Sequence, residues 1–188
     1  MIYFKEFPEI DIAETVSDAT IYMKKFTECF EYAPMRPWRE FDLRHFIEHV
    51  PSFKTLFDPL GLEPVGVVPV IVRGQTRIHI DPYSNPYSVR LNIPIYNCEH
   101  SETRFFELSS GRQAVLKAAN EQHNVYYDIN ESDCHQVDKV VLKHITALAI
   151  GRPHQVVNTG PIDLRLALTI PFAQKEKVSR ILFGDEMP

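Results

Sequence analysis

The chain has 188 residues, 44% hydrophobic and 24% charged, a balance that excludes a disordered polymer and suffices for one packed core. A net charge of -5 gives no basic field for a nucleic-acid backbone, and no apolar run reaches membrane-helix length. Cys29, Cys98 and Cys134 are dispersed and form no CxxC pair, which argues against a zinc ribbon or disulfide framework and for a reducing, cytoplasmic setting.

The opening MIYFKEFPEIDIAE carries acids early and lacks the apolar stretch of a secretory signal. Val16, Ala19, Met23, Phe26 and Phe30 recur at spacings of three and four and predict a helix over 11–31, with Asp11 at its start. Ala33-Pro34 and Arg36-Pro37 break that run. A second helix is expected over 39–49, with Phe41, Phe46 and Ile47 inward, and a further turn from Pro51 to Gly61. Trp38 and these aromatic helices are read as a seal over the core.

From residue 64 the texture changes to short runs rich in Val, Ile and aromatic residues, punctuated by turn chemistry. Strands are expected at 65–73, 75–80, 89–95, 103–107, 125–129, 138–142, 146–150 and 164–170, and one amphipathic turn around Val178, Ile181 and Leu182. Short, regularly punctuated strands read as a sandwich, barrel or jelly roll. The expected organisation is one domain, residues 1–188: a helical buttress (1–62), a β core (63–171) and a C-terminal tail (172–188). Because side chains alternate across a strand, His79 and Asp81 share one face, as do Arg90 and Asn92, and Arg165, Ala167 and Thr169.

His79-Ile80-Asp81 is the central feature. Two residues apart on a strand, an imidazole and a carboxylate point the same way and reach one metal. His154 would complete a two-His-one-carboxylate face, which leaves open positions as a non-haem Fe(II) oxygenase requires. His45 and His49 lie four apart on the second helix but lack HExxH context, and a solvated helix face accounts for them. No GxGxxG, P-loop or GxSxG occurs, which leaves nucleotide-binding and serine-hydrolase readings without support.

With Arg165 eleven residues beyond His154, the sequence resembles the 2-oxoglutarate/Fe(II)-dependent oxygenases, whose pattern is HxD, a long interval, a distal His and an Arg about ten residues later. The resemblance spans about residues 64–171. Within that superfamily, HIDPYSNPYSVRLNIPI (79–95) and RPHQVVN (152–158) look most like aspartyl/asparaginyl hydroxylase-like and related small members. It implies a mainly β fold with N-terminal helices, a double-stranded β-helix (jelly-roll, cupin-like) barrel. It also implies Fe(II), with 2-oxoglutarate as cosubstrate and O2, and the hydroxylation of a small molecule, peptide or protein side chain. Carried over, His79, Asp81 and His154 hold the iron and Arg165 pairs with the far carboxylate of 2-oxoglutarate. Arg90 and Asn92 are weaker candidates for the cosubstrate's other end or the substrate. Many relatives place Ser or Thr two positions after the Arg; Ala167 stands there, so a hydroxyl must come from elsewhere, Thr103 or Thr169, or be absent. The alternatives are a cupin-like metal enzyme that uses no 2-oxo acid, and a β-barrel binding module without catalysis. The sequence leaves the oligomeric state open.

Overall fold

The computed structural model describes residues 2–27, 29–30, 40–81, 85–119 and 124–184. The strands are β1 (Phe4–Phe7), β2 (Val68–Val72), β3 (His79–Ile80), β4 (Arg90–Tyr96), β5 (Ser101–Leu108), β6 (Val115–Ala119), β7 (Asn124–Asp128), β8 (Cys134–Val140), β9 (Ile145–Leu148), β10 (His154–Asn158) and β11 (Arg165–Ile170). The helices are α1 (Ala13–Phe26), α2 (Leu43–His49) and α3 (Lys175–Phe183), with single 3-10 turns at Pro51–Lys54 and Asp58–Leu60.

The strands form two antiparallel sheets, in the orders β1-β9-β4-β11-β2 and β6-β7-β3-β10-β5-β8. Successive strands β2, β3, β4 and β5 alternate between the sheets and pair in turn with β11, β10, β9 and β8. A long hairpin folded over on itself gives this nested winding, which is a jelly-roll order. Among the described residues no ladder joins the sheets, so the expected closed barrel is corrected to a pair of sheets with free edges.

Local chemistry explains where the sequence reading shifts. The strand expected over 75–80 contracts to His79–Ile80, and Gln75 keeps one isolated bridge to Val157. Gly74, at φ 62, turns the chain at one end. His154–Asn158, for which no strand was expected, form β10, with His154 and Val156 buried. The helical buttress is interrupted at the outset by β1, which pairs with β9. α1 is shorter than expected because Thr27 folds its hydroxyl back onto the Met23 carbonyl at 2.6 Å; its buried residues are Thr15, Ala19, Tyr22 and Met23, while Phe26 is exposed. Asp42 caps α2 by accepting from the His45 amide at 2.8 Å. The expectations for Trp38 and for the Ala33–Pro37 break lie outside the described residues.

One core cluster draws on residues from Tyr3 to Leu182. Part of it is an edge-to-face series, Phe46–Phe53–Phe57–Phe172, with centroids 4.9–5.7 Å apart. Each such pair contributes about 0.5–1.5 kcal/mol beyond burial, which explains why so many aromatic residues precede the β region. Val178 and Leu182 of α3 are buried in the same cluster. No helix among the described residues is long and apolar enough to cross a membrane.

Candidate metal centre and the buried polar groups behind it

His79 on β3 and His154 on β10 are direct cross-strand partners, so the ladder itself sets their rings side by side, centroids 4.4 Å apart. Asp81 follows just beyond β3, its amide hydrogen-bonded to the Ile150 carbonyl at 3.3 Å. One carboxylate oxygen lies 3.4 Å from His79 Nε2 and 3.7 Å from His154 Nε2. The three ligand atoms fall within 4.8 Å of one another, a set that could hold a metal ion.

Both rings are oriented in the same way. His79 Nδ1 lies 2.8 Å from the Arg77 carbonyl, and His154 Nδ1 lies 2.9 Å from the Arg152 carbonyl. A carbonyl only accepts, so each Nδ1 carries a proton and each Nε2 faces Asp81. Burial, with help from the charge of His79 and against that of Asp81, pushes His154 down to about 4, so it is neutral at physiological pH. Burial pushes the Asp81 carboxyl up, but the hydrogen bond from His79 and the charges of His154, His79 and Arg90 outweigh it and hold the group below its ordinary value. Two imidazoles and one carboxylate therefore converge, a donor set suited to Fe(II).

The remaining predicted residues fall on the other sheet. Arg90 and Asn92 lie on β4; Arg90 is within electrostatic reach of Asp81, whereas buried Asn92 turns its amide to the Arg90 carbonyl at 3.3 Å. Arg165, on β11, is 2% exposed, and no carboxylate among the described residues lies within ion-pairing distance of it. Its Nε finds no hydrogen-bond partner, and neither do the buried Thr103 Oγ1 and Asn158 Oδ1. Thr169 is only half-buried, so of the two threonines considered as hydroxyl donors Thr103, at 2%, is the sequestered one.

The pairing register orders these groups. On the His154 face of the six-stranded sheet, Phe105 pairs with His154, Thr103 with Val156 and Ser101 with Asn158. At the far end Asn158 donates across to the Val72 carbonyl at 3.2 Å, and Val72 is the cross-strand partner of Arg165. Four residues of strand, about 13 Å, therefore separate the level of the metal ligands from that of the arginine, with Thr103 midway. His45 and His49 have no part in this. They pack beside Tyr22 and Phe26, and Tyr22 Oη lies 3.0 Å from His45 Nδ1; His49 is exposed, as expected of a solvated face, while His45 is half-buried in this aromatic cluster.

No protein-family model matches the chain, and no curated protein matches it. Solved structures do. The chain resembles the epimerase SnoN, solved in complex with Fe3+, alpha-ketoglutarate and nogalamycin RO, at TM-score 0.52 and 10% identity over 90% of this chain and 78% of that one. It also resembles a Pseudomonas putida prolyl-4-hydroxylase (TM-score 0.47, 16% identity, 92% of each chain) and AviO1 from Streptomyces viridochromogenes Tue57 (0.46, 13%, 92% and 90%). At these identities the first likeness speaks for the fold alone, and the other two add no argument. None of the three is described as an aspartyl/asparaginyl hydroxylase, so that narrower resemblance has no structural counterpart here.

Sequence reasoning reached His79, Asp81, His154 and Arg165. It gave Asn97 and Cys98 no role in the site; nothing in one sequence marks a turn that packs against a distant strand.

Proposed function

We propose that the protein is a non-haem Fe(II) enzyme that uses 2-oxoglutarate to oxidise a C–H bond of a small molecule, peptide or protein side chain. The observation that carries this reading is Arg165, a buried guanidinium without a carboxylate partner among the described residues, which lies on the facing sheet at the level of Asn158, four residues along β10 from His154. Burying an unpaired cation is costly, and an anionic ligand relieves that cost.

His79, Asp81 and His154 would hold the iron in a double-stranded β-helix scaffold, and Arg165 would grip the far carboxylate of the cosubstrate with its planar fork. Thr103 Oγ1 supplies the hydroxyl that Ala167 lacks, from the facing sheet. Arg90, near Asp81, is placed to meet the cosubstrate's near carboxylate or an anionic group of the substrate. Bound iron supplies oxygen activation, coupling decarboxylation of 2-oxoglutarate to succinate with oxidation of the substrate. The chain's own contribution is geometric: it fixes the imidazole tautomers and keeps water from the slot behind them. The narrower aspartyl/asparaginyl hydroxylase reading rests on residues 79–95 and 152–158 alone. A cupin-like enzyme without a 2-oxo acid leaves Arg165 unexplained.

The test is anaerobic titration of the Fe(II)-loaded protein with 2-oxoglutarate, followed by succinate measurement after oxygen is admitted. Metal-dependent binding and succinate release are expected. A loaded protein that neither binds 2-oxoglutarate nor forms succinate overturns the proposal.

A further inference from the structure

The turn between β4 and β5 is built unlike the others. Asn97 is the one residue other than glycine with a positive φ, 53°, among the described residues, and it is buried. A side chain holds that conformation only when something compensates. Here the Asn97 amide donates to the Ile162 carbonyl at 3.0 Å and the Leu164 carbonyl at 2.9 Å. Next to it, the 2%-exposed Cys98 thiol donates to the Leu166 carbonyl at 3.0 Å. Leu164 and Leu166 flank Arg165. One short turn thus fastens the backbone on both sides of the arginine.

The Cys98 thiol also lies within electrostatic reach of the Arg165 guanidinium. Its proton is committed to Leu166, so towards the guanidinium the sulfur acts as acceptor. Burial pushes this thiol up, more than the nearby Arg165 lowers it, so it stays neutral. That choice of group matters. A carboxylate at the same place would neutralise the arginine and compete with an anionic ligand, whereas a neutral acceptor directs the guanidinium and leaves its charge available.

We propose that the Asn97-Cys98 turn is the positioning device for Arg165, with the thiol setting the direction in which the guanidinium meets the far carboxylate of a dicarboxylate ligand. This rests on the reading of the site as a 2-oxoglutarate slot. Neither residue touches the metal ligands, so the device acts on cosubstrate affinity and leaves metal affinity alone.

The experiment compares full-length wild type with Cys98→Ser, Cys98→Val and Asn97→Gly. Mn(II) affinity is measured first, then 2-oxoglutarate affinity of the Mn(II)-loaded proteins by calorimetry, and finally the Arg165 guanidinium signals by 15N NMR without ligand. Cys98→Val is expected to raise the 2-oxoglutarate Kd about tenfold, as for loss of a bond to a charged group, while Cys98→Ser, which still accepts, stays within about threefold. Asn97→Gly keeps the backbone conformation, loses both staples, and is expected to weaken 2-oxoglutarate while leaving Mn(II) unchanged. The inference is overturned if Cys98→Val and Asn97→Gly bind 2-oxoglutarate like wild type, or if they lose Mn(II) and 2-oxoglutarate in equal measure. Should wild type itself bind no 2-oxoglutarate, the functional reading fails, and the NMR signal decides the positioning separately. A shifted or broadened Arg165 line in Cys98→Val but not in Cys98→Ser supports it, and an unchanged line in both overturns it.

Discussion

The two ends of the polar face solve opposite electrostatic problems. At the metal end, Asp81 is half-exposed and already flanked by two imidazoles, each tied to a carbonyl two residues earlier. At the other end, Arg165 is sealed from solvent with a neutral thiol for company. The metal end is preorganised by bonds it has; the arginine end is poised by a bond it lacks. A metal ligand set must converge and stay open, while an anion anchor must stay dry and uncompensated to be worth much.

This contrast can be broken most severely at Asp81. Asp81→Ala removes the only carboxylate of the set and is expected to abolish metal retention after dialysis, a loss beyond the roughly 10–100-fold typical of outer-shell changes. A variant that kept its full metal content would place the ion elsewhere. Next, Arg165→Met should separate function from stability. It is expected to weaken 2-oxoglutarate by about 1.5–3 kcal/mol in calorimetry. In the same protein, urea unfolding without ligand should show a gain of about 1–4 kcal/mol, because an unpaired buried cation is replaced by an apolar chain. A marked loss of stability would mean that Arg165 is structural. Thr103→Val sharpens the comparison at smaller scale: about 1 kcal/mol of 2-oxoglutarate affinity is expected to go, with unfolding unchanged or slightly harder, since the hydroxyl removed has no partner in the free protein.

How far the sequence revealed this depends on the range of the interaction. His79 and Asp81 were legible because strand periodicity alone aims both the same way. His154 and Arg165 were legible as residue types at a recognisable spacing, yet the strand that carries His154 was missed: HQVVN is a short run directly after Gly151–Pro153, and its pairing with the distant β5 is what makes it a strand. β1 escaped for the same reason, since its partner β9 lies about 140 residues away. Thr103 was weighed with Thr169, and only burial separates them. The Asn97-Cys98 turn was invisible, because its partners are the carbonyls of residues 162, 164 and 166, which any side chain would carry.

The smallest expected effect lies one residue from Thr103, on the opposite face of β5. There Glu102 meets Lys139 Nζ at 2.7 Å and Arg104 at 2.9 Å, at the surface rather than in the slot. The hydrogen bond from Lys139, opposed by burial and aided by Arg104, holds the Glu102 carboxyl below its ordinary value. The folded chain then takes up this proton less readily than the unfolded one. The stabilisation is therefore full above the ordinary glutamate range and disappears as the pH falls through the lowered value. Lys139 is more than half exposed, so Lys139→Met should cost under about 1 kcal/mol in urea unfolding at neutral pH, less in high salt, and nothing once Glu102 is protonated. Metal and 2-oxoglutarate affinities should not move, because strand alternation separates this cluster from Thr103 by the thickness of the sheet. A change in either would mean that the two faces of β5 are coupled, and the division between a dry anchor and an ordinary solvated surface would fail at the strand where it is narrowest.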